Sequence, residues 1–247
     1  MDITLPNIIS AQNVGEHHDV ITVSPCYPGY GTTLGNAMRR VLLSSLPGAA
    51  VTAVKMKGVD HEFSTIDHVK EDVVEIILNV KNLRFRVHGD EPVEIELHAT
   101  GEGVITAGQF EKDALVEVVN PEAVIATMTD KAGEFHLKAI VQKGRGYVPV
   151  EERENEKLEI GYIAIDSIYT PVRNVNFHTE HVRVGEMTNF DKLSLDIATD
   201  GTIAPEEAFQ MAAEILVEQF GVLTRGMSDG VEVASAEVVE ESVEEAE

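Results

Sequence analysis

Residues 31–48 read GTTLGNAMRRVLLSSLPG, and this stretch decides the fold. Glycines precede it and a Pro-Gly pair closes it, so we predict a helix over residues 32–46. Successive residues of a helix are turned by about 100°, so side chains three or four apart share a face. One side of this helix is mainly apolar and carries Leu34, Ala37, Met38, Val41 and Ser45.

The opposite side of the same helix has an unusual composition. Leu43 lies at its centre, flanked by Arg39 and Arg40, with Asn36 and Leu46 nearby. An ordinary surface helix buries one stripe and exposes mixed charges on the other. Two arginines beside exposed leucines, in a strongly acidic chain, predict a helix that packs on one side and contacts a partner on the other.

The charge balance limits the classes of partner. The 247 residues include 19 lysines and arginines against 43 aspartates and glutamates, a formal net charge of −24. Contacts to nucleic-acid phosphates need clustered basic side chains, so the composition argues against DNA or RNA as the main ligand. The acidic residues are densest in residues 226–247, which we predict to be a disordered acidic tail. A binding module that recruits basic proteins through this tail is an open alternative.

Targeting and redox signals are sparse. Cys26 is the only cysteine, so no intramolecular disulfide can form and a reducing compartment is expected. Residues 1–6 lack the pattern of a signal peptide, and no apolar run is long enough to span a bilayer. The sequence predicts a cytoplasmic protein with no membrane contact.

Period-two alternation of apolar and polar residues predicts several half-buried strands. The best examples are residues 51–56, 93–97, 135–141, 160–165 and 193–197. Two further helices are predicted, over residues 71–80 and 205–220. The first has Val73, Ile76, Ile77 and Val80 on one stripe. The second has Phe220 facing inward and Gly221 as its stop. Strands and helices do not alternate regularly, so the predicted class is α+β with mostly antiparallel sheets. The two strongest helices lie near opposite ends of the chain, which favours a discontinuous domain with a β-rich insertion.

The glycine-rich segment 29–35 invites comparison with phosphate-binding loops, because it precedes a helix. Its third glycine is one residue too late for a dinucleotide fingerprint, and it lacks the lysine of a P-loop. We therefore expect Gly29 and Gly31 to make the turn and Gly35 to permit close helix packing. An enzyme that binds a phosphorylated ligand at this loop is the alternative.

Other motifs favour structural interpretations. A basic clamp on Lys143 and Arg145 is one interpretation of segment 144–149, but a simple turn is favoured because four glutamates follow closely. The nine histidines show no metal-ligand spacing such as His-Glu-x-x-His, so no metal or other cofactor is predicted. Cys26 has no basic neighbour in sequence and no nucleophile elbow occurs, so no catalytic residues are predicted.

Several motifs, taken in order, resemble one known family. The run 31–48 is similar to the signature helix of bacterial RNA polymerase alpha subunits. Segments HEFST at 61–65, VKEDV at 69–73, LNVK at 78–81, KGRGYVP at 143–149, YTPV at 169–172, DGTI at 200–203 and PEEA at 205–208 resemble later parts of the same family. The resemblance extends over residues 1 to 225.

This resemblance implies a discontinuous dimerisation domain of two packed helices on an antiparallel sheet, formed by residues 1–46 and 167–225, with an inserted β-rich domain over residues 47–166. It implies a homodimeric scaffold on which the beta and beta-prime subunits assemble for DNA-templated transcription. Omega and sigma would associate only through the assembled enzyme. Catalysis of nucleotidyl transfer would belong to another subunit.

The resemblance also implies contact residues. Arg40 and Leu43 match positions that contact the beta subunit, and Lys81 and Ile165 match positions that contact beta-prime. The dimer interface would include Leu34, Ala37, Met38, Val41, Ala208, Met211, Ala212 and Ile215. Family members normally continue into a small carboxy-terminal domain that binds DNA. The sequence ends at Glu247, so either truncation or natural absence of that domain is expected, and no direct DNA binding is predicted.

Overall fold

The computed structural model describes residues 3–153 and 158–228, with side chains to residue 224. Within these ranges the chain forms fourteen strands and three α-helices. In chain order they are β1 (Ile8–Gly15), β2 (His18–Cys26), α1 (Tyr30–Ser44), β3 (Pro47–Met56), α2 (Val73–Lys81), β4 (Phe85–Val87), β5 (Val93–Thr100), β6 (Gly103–Thr106), β7 (Val116–Val118), β8 (Val124–Met128), β9 (Glu134–Arg145), β10 (Tyr147–Val148), β11 (Ile163–Ala164), β12 (Ser167–Ile168), β13 (Val172–Val184), β14 (Met187–Thr199) and α3 (Pro205–Ser228).

The first structural unit is formed by the two ends of the described chain. Strands β1, β2, β14 and β13 form an antiparallel sheet in that order, and α1 and α3 pack together beside it. Alternate residues of β2 and β14 face the helices, as the period-two geometry of a strand requires. The resulting core contains Ile21, Val23, Met38, Leu42, Leu46, Leu193, Leu195, Ile197, Ala208 and Ala212.

The second structure is formed by the middle of the chain. Strands β11, β3, β9 and β5 make an antiparallel sheet in that order, accompanied by the short pairs β4–β7 and β6–β8. Asp72 caps the start of helix α2, because its carboxylate accepts a hydrogen bond from the Glu75 amide at 2.7 Å. The predicted stripe of Val73, Ile76, Ile77 and Val80 is buried against this sheet, which confirms it. The core here includes Val54, Phe85, Leu97, Ile125, Phe135 and Leu137.

These two cores confirm the predicted class, an α+β protein with a discontinuous unit and a β-rich insertion. Apolar residues of 21–46 and 172–216 share one core, and those of 49–165 share the other. The boundaries 46/47 and 166/167 themselves stay a prediction. The two units meet at Arg84, whose Nε lies 3.3 Å from an Asp200 carboxylate oxygen, and at Arg86, which donates to the Thr202 carbonyl.

Several predicted boundaries shift. Helix α1 begins two residues earlier than predicted and ends at Ser44. Helix α3 begins at Pro205 as predicted but runs through Gly221 to Ser228, because one glycine in a helix interior costs only about 1 kcal/mol. The first three residues of the predicted acidic tail therefore belong to α3, and the rest of the tail lies outside the described residues. The strand predicted over residues 160–165 is reduced to Ile163–Ala164.

Candidate assembly surfaces

The start of α1 is fixed by a carboxylate from a distant strand. Asp191 of β14 accepts hydrogen bonds from the backbone N–H groups of Gly29 at 2.9 Å and of Gly31 at 3.2 Å. The positive end of the helix dipole favours a negative charge at this point. The chain's own carboxylate thus occupies the position in which a phosphate would bind. The interpretation of segment 29–35 as a phosphate-binding loop loses its physical basis.

Glycines let α1 approach the sheet closely. A Cβ at Gly31 would lie 2.8 Å from Cβ of Asp191, and a Cβ at Gly35 would lie 2.5 Å from the ring of Phe177 on β13. Both distances are below the contact distance of carbon atoms. The predicted packing role of Gly35 is confirmed, and Gly31 shares it.

The inner face of α1 consists of Gly31, Gly35, Met38 and Leu42, all buried against the sheet. The prediction that Leu46 lies near the exposed face is wrong, since this side chain is only 1% exposed. The helix ends at Ser44, so the 100° step no longer applies at residue 46. The chain turns there, and Leu46 enters the same core as Leu42.

The residues predicted for the dimer interface divide into two groups. Met38, Ala208 and Ala212 are buried in the core of their own chain, so they have little surface left for a partner. The other members are half-buried: Leu34, Val41, Met211 and Ile215 pack at the edge of that core, and Ala37 is half-buried on α1. The inward position predicted for Phe220 is wrong, because its side chain is 61% exposed.

The second half of α3 carries an uncovered apolar surface. It extends past the part of the helix that packs on α1 and the sheet, and four large side chains are more than half exposed. Their exposed fractions are 71% for Val217, 61% for Phe220, 60% for Val222 and 64% for Leu223. We call these four residues the α3 apolar surface. Large apolar side chains left exposed along one segment of a helix are typical of an interaction site.

Arg40 and Leu43 lie together on the outer face of α1. Both are exposed, Leu43 at 36%. Within residues 3–153 and 158–228, no side chain forms a hydrogen bond or ion pair with the Arg40 guanidinium. The Leu43 carbonyl accepts a hydrogen bond from the Thr170 hydroxyl at 3.3 Å, which fixes the end of the helix. This surface therefore presents an exposed cation beside an apolar side chain on a helix whose end is fixed.

The segment Gly144–Val148 turns the chain from β9 into β10 beside the end of α1. Gly146 has a φ of 67°, and its Cβ position would lie 3.5 Å from the Ser44 carbonyl. Lys143 lies 3.3 Å from Asp90 and does not combine with Arg145 into a clamp. The turn interpretation is the one that the structure supports.

Lys81 and Ile165 line a cleft of about 660 Å³ in the inserted domain. The Lys81 ammonium is held by Asp166 at 2.9 Å, and Asp166 also accepts from the Val150 amide at 3.1 Å. The lysine partner, together with that amide, lowers the pKa of Asp166 below its usual value of 3.8. Ile165 is only 4% exposed, so it forms the floor of the cleft and offers little area to a partner.

The structure contains one group of potential metal ligands that the sequence analysis did not predict. Glu96, His98 and His136 come from β5 and β9, and their ligand atoms all lie within 4.8 Å of one another. Searching for ligands close in sequence cannot find such a group, because strand register brings it together. A usable signal is the Glu-x-His pattern of β5, which places both side chains on one face of the strand.

No helix among the described residues is long and apolar enough to cross a membrane. The uncovered apolar surface of α3 and the exposed arginine of α1 define a class of protein, a subunit of a larger assembly.

The comparisons with known proteins identify that assembly. A family model described as the RNA polymerase Rpb3/RpoA insert domain matches residues 54–170. Proteins described as DNA-directed RNA polymerase subunit alpha match nearly the whole chain. That of Moorella thermoacetica is 47% identical over 240 residues, 96% of this chain and 76% of the relative. Those of Alkaliphilus oremlandii and Symbiobacterium thermophilum are 50% and 52% identical, over 87% and 85% of this chain and 66% and 67% of the relatives.

The chain belongs to the family of DNA-directed RNA polymerase alpha subunits, so the resemblance is confirmed. It is a subunit of a nucleotidyltransferase complex and assembles with other subunits of that complex. The phosphate-binding enzyme proposed as the alternative is not supported. The chain spans about two thirds to three quarters of the length of these relatives.

Proposed function

We propose that this chain forms a homodimer on which the beta and beta-prime subunits of a cytoplasmic bacterial RNA polymerase assemble. The observation that carries the proposal is the division of α1 into two faces. One face packs on the sheet beside α3, and the other presents Arg40 and Leu43 without a described partner. A single helix thereby connects the core of one protomer to a docking surface.

The dimer contact is assigned to the α3 apolar surface and the half-buried side chains beside it. Fully burying one large apolar side chain contributes about 1.5–3 kcal/mol, part of which offsets the loss of freedom on association. In a two-fold dimer the same surface of both protomers forms the interface, so the exposed residues of one protomer are buried by the same segment of the other. Leu34, Ala37, Val41, Met211 and Ile215 extend this surface toward α1.

The beta-subunit contact is assigned to Arg40 and Leu43. A guanidinium binds carboxylates with two parallel hydrogen bonds, and an adjacent apolar side chain supplies area that excludes water. We expect an acidic and apolar patch on the beta subunit. An arginine that contacts a partner in this way is a frequent source of binding energy.

The beta-prime contact is assigned to the cleft beside Lys81. Phe63 and Leu78 line this cleft and are 80% and 54% exposed, so they are the apolar groups available to a partner. Ile165 supports the cleft from below. Omega and sigma would associate only through the assembled enzyme. No cofactor and no direct DNA contact are part of the proposal.

The decisive experiment compares dimerisation with capture of the beta subunit. Sedimentation of the wild-type chain at micromolar concentration should give the mass of a dimer. Arg40→Ala should keep that mass but weaken binding of purified beta subunit about tenfold or more, because the variant removes a contact of this type. Arg39→Ala, an adjacent exposed arginine of the same helix, is the matched control and should bind beta normally.

Phe220→Asp tests the other half of the proposal. It places a charge on the α3 apolar surface, so the variant should sediment as a monomer with unchanged circular dichroism. A wild-type chain that is monomeric at micromolar concentration would overturn the dimer. Equal losses for Arg40→Ala and Arg39→Ala would overturn the specific role of Arg40.

A further inference from the structure

The outer face of the β5–β9 pair brings two histidines and a glutamate together. The register places His98 directly opposite His136, and Glu96 opposite Lys138. The alternate residues of both strands point into the core, since Ile95 and Leu97 are 4% and 0% exposed. The polar side chains therefore stand on the solvent side of a rigid, well-packed sheet.

The ligand atoms of this group already converge. The two imidazole rings are stacked with centroids 3.7 Å apart and planes inclined by 22°. Both Nε2 atoms face the same carboxylate oxygen, Oε2 of Glu96, at 3.3 Å for His136 and 3.7 Å for His98. Ligands placed 2.0–2.1 Å from a tetrahedral zinc ion are about 3.3 Å apart. To bind one ion, the two imidazoles would rotate out of their stacked arrangement so that both Nε2 lone pairs point at it.

The neighbouring charges hold the glutamate in place. Lys138 donates to the other carboxylate oxygen of Glu96 and to Glu94, so Oε2 stays directed at the imidazoles. Two carboxylates and one ammonium give this cluster a formal charge of −1 when the histidines are neutral. A divalent cation is electrostatically acceptable there, although the ammonium limits its affinity.

We propose that Glu96, His98 and His136 form a binding site for a zinc ion that clamps β5 to β9. Two imidazoles and one carboxylate are ligands that zinc accepts, with water in the fourth position. Magnesium and calcium prefer sites built from oxygen ligands alone and do not fit this set. Because β5 is an edge strand of its four-stranded sheet, a cross-strand clamp secures it to β9, its partner in that sheet. None of the three proposed ligands lines the cleft beside Lys81.

Titration of the full-length chain with zinc chloride, followed calorimetrically, tests the site. One zinc ion per chain should bind, EDTA should reverse the binding, and magnesium chloride should give no signal. His98→Gln and His136→Gln should each weaken zinc binding about tenfold or more, as loss of a group at a metal site does. His178→Gln is the matched control, because this histidine lies on another strand beside a single carboxylate, Glu180.

Two further measurements keep the result interpretable. Cobalt substitution should give the strong visible absorption of tetrahedral Co²⁺ in the wild-type chain and lose it in His98→Gln. The circular dichroism and sedimentation of each variant should match the wild type, which excludes unfolding as the cause. The proposal is overturned if no zinc binds at submillimolar concentration, or if His178→Gln weakens binding as much as His136→Gln does.

Discussion

Replacing Asp191 tests how the helix that carries the proposed beta contact is held in place. Its side chain is 7% exposed, and its carboxylate accepts the N–H groups of Gly29 and Gly31 at the start of α1. Asp191→Ala removes the charge and the oxygen, Oδ2, that accepts both hydrogen bonds. We expect the start of α1 to loosen although no residue of α1 is changed.

The magnitude follows from the surroundings of each group. Gly31 is buried, so its unsatisfied N–H costs about 1–3 kcal/mol. Gly29 is exposed, so water replaces its lost partner at small cost. Loss of the charge at the helix terminus adds about 0.3–2 kcal/mol. Asp191→Ala should therefore lower the free energy of unfolding by about 1–5 kcal/mol, and Asp191→Asn, which keeps an acceptor oxygen, by less.

Urea unfolding at fixed protein concentration measures the loss, and amide hydrogen exchange locates it. Protection should fall in the first turns of α1 while α2 keeps its protection. Asp196→Ala is the matched control on the same strand, because its carboxylate pairs with His18 but is 43% exposed. Exposed pairs contribute only about 0–1 kcal/mol. Equal losses for Asp191→Ala and Asp196→Ala would refute the reasoning.

Two more substitutions test the packing and the cleft. Gly35→Ala should lower the free energy of unfolding by about 1–3 kcal/mol, since its Cβ would lie 2.5 Å from the Phe177 ring. Asn36→Ala, on the exposed face of α1, is the control and should leave the free energy of unfolding unchanged. A Gly35→Ala variant that is more stable than the wild type would contradict this reasoning. The lowered pKa of Asp166 means that its contribution is present above the unfolded value near 3.8 and is lost as pH falls through the lower folded value. Asp166→Asn should therefore unfold at lower urea than the wild type at pH 7, and the difference should shrink as the pH falls below about 3.8. A pH-independent difference would show that the ion pair is not its source.

The helices show how far periodicity reaches. The buried stripe of α2 follows from spacing alone, because a helix repeats every 3.6 residues and one face is covered. The same reasoning misplaced Leu46, since the helix ends before that residue. It also overlooked Leu42, which is fully buried. The helical angle gives the direction of each side chain relative to the others. The position of the sheet decides which of these side chains are buried.

The strands were harder to predict. Of the long pair β13–β14, the predicted strands include only residues 193–197 of β14, because exposed polar residues dilute the alternation in β13. The edge strand β1 gave no signal, since nearly all of its side chains are exposed. Its stability comes from backbone hydrogen bonds to β2, which leave no apolar pattern in the sequence.

The sequence by itself determined the class, the three helices, the packing role of Gly35 and the family, since each depends on residues that are close together or form ordered motifs. Only the tertiary structure decided that Asp191 caps a helix 162 residues away. It alone placed His136 beside Glu96, 40 residues distant. The physical reason is register: a shift of one residue turns every side chain of a strand to the other face. Register is set by the whole sheet, so no local pattern contains it.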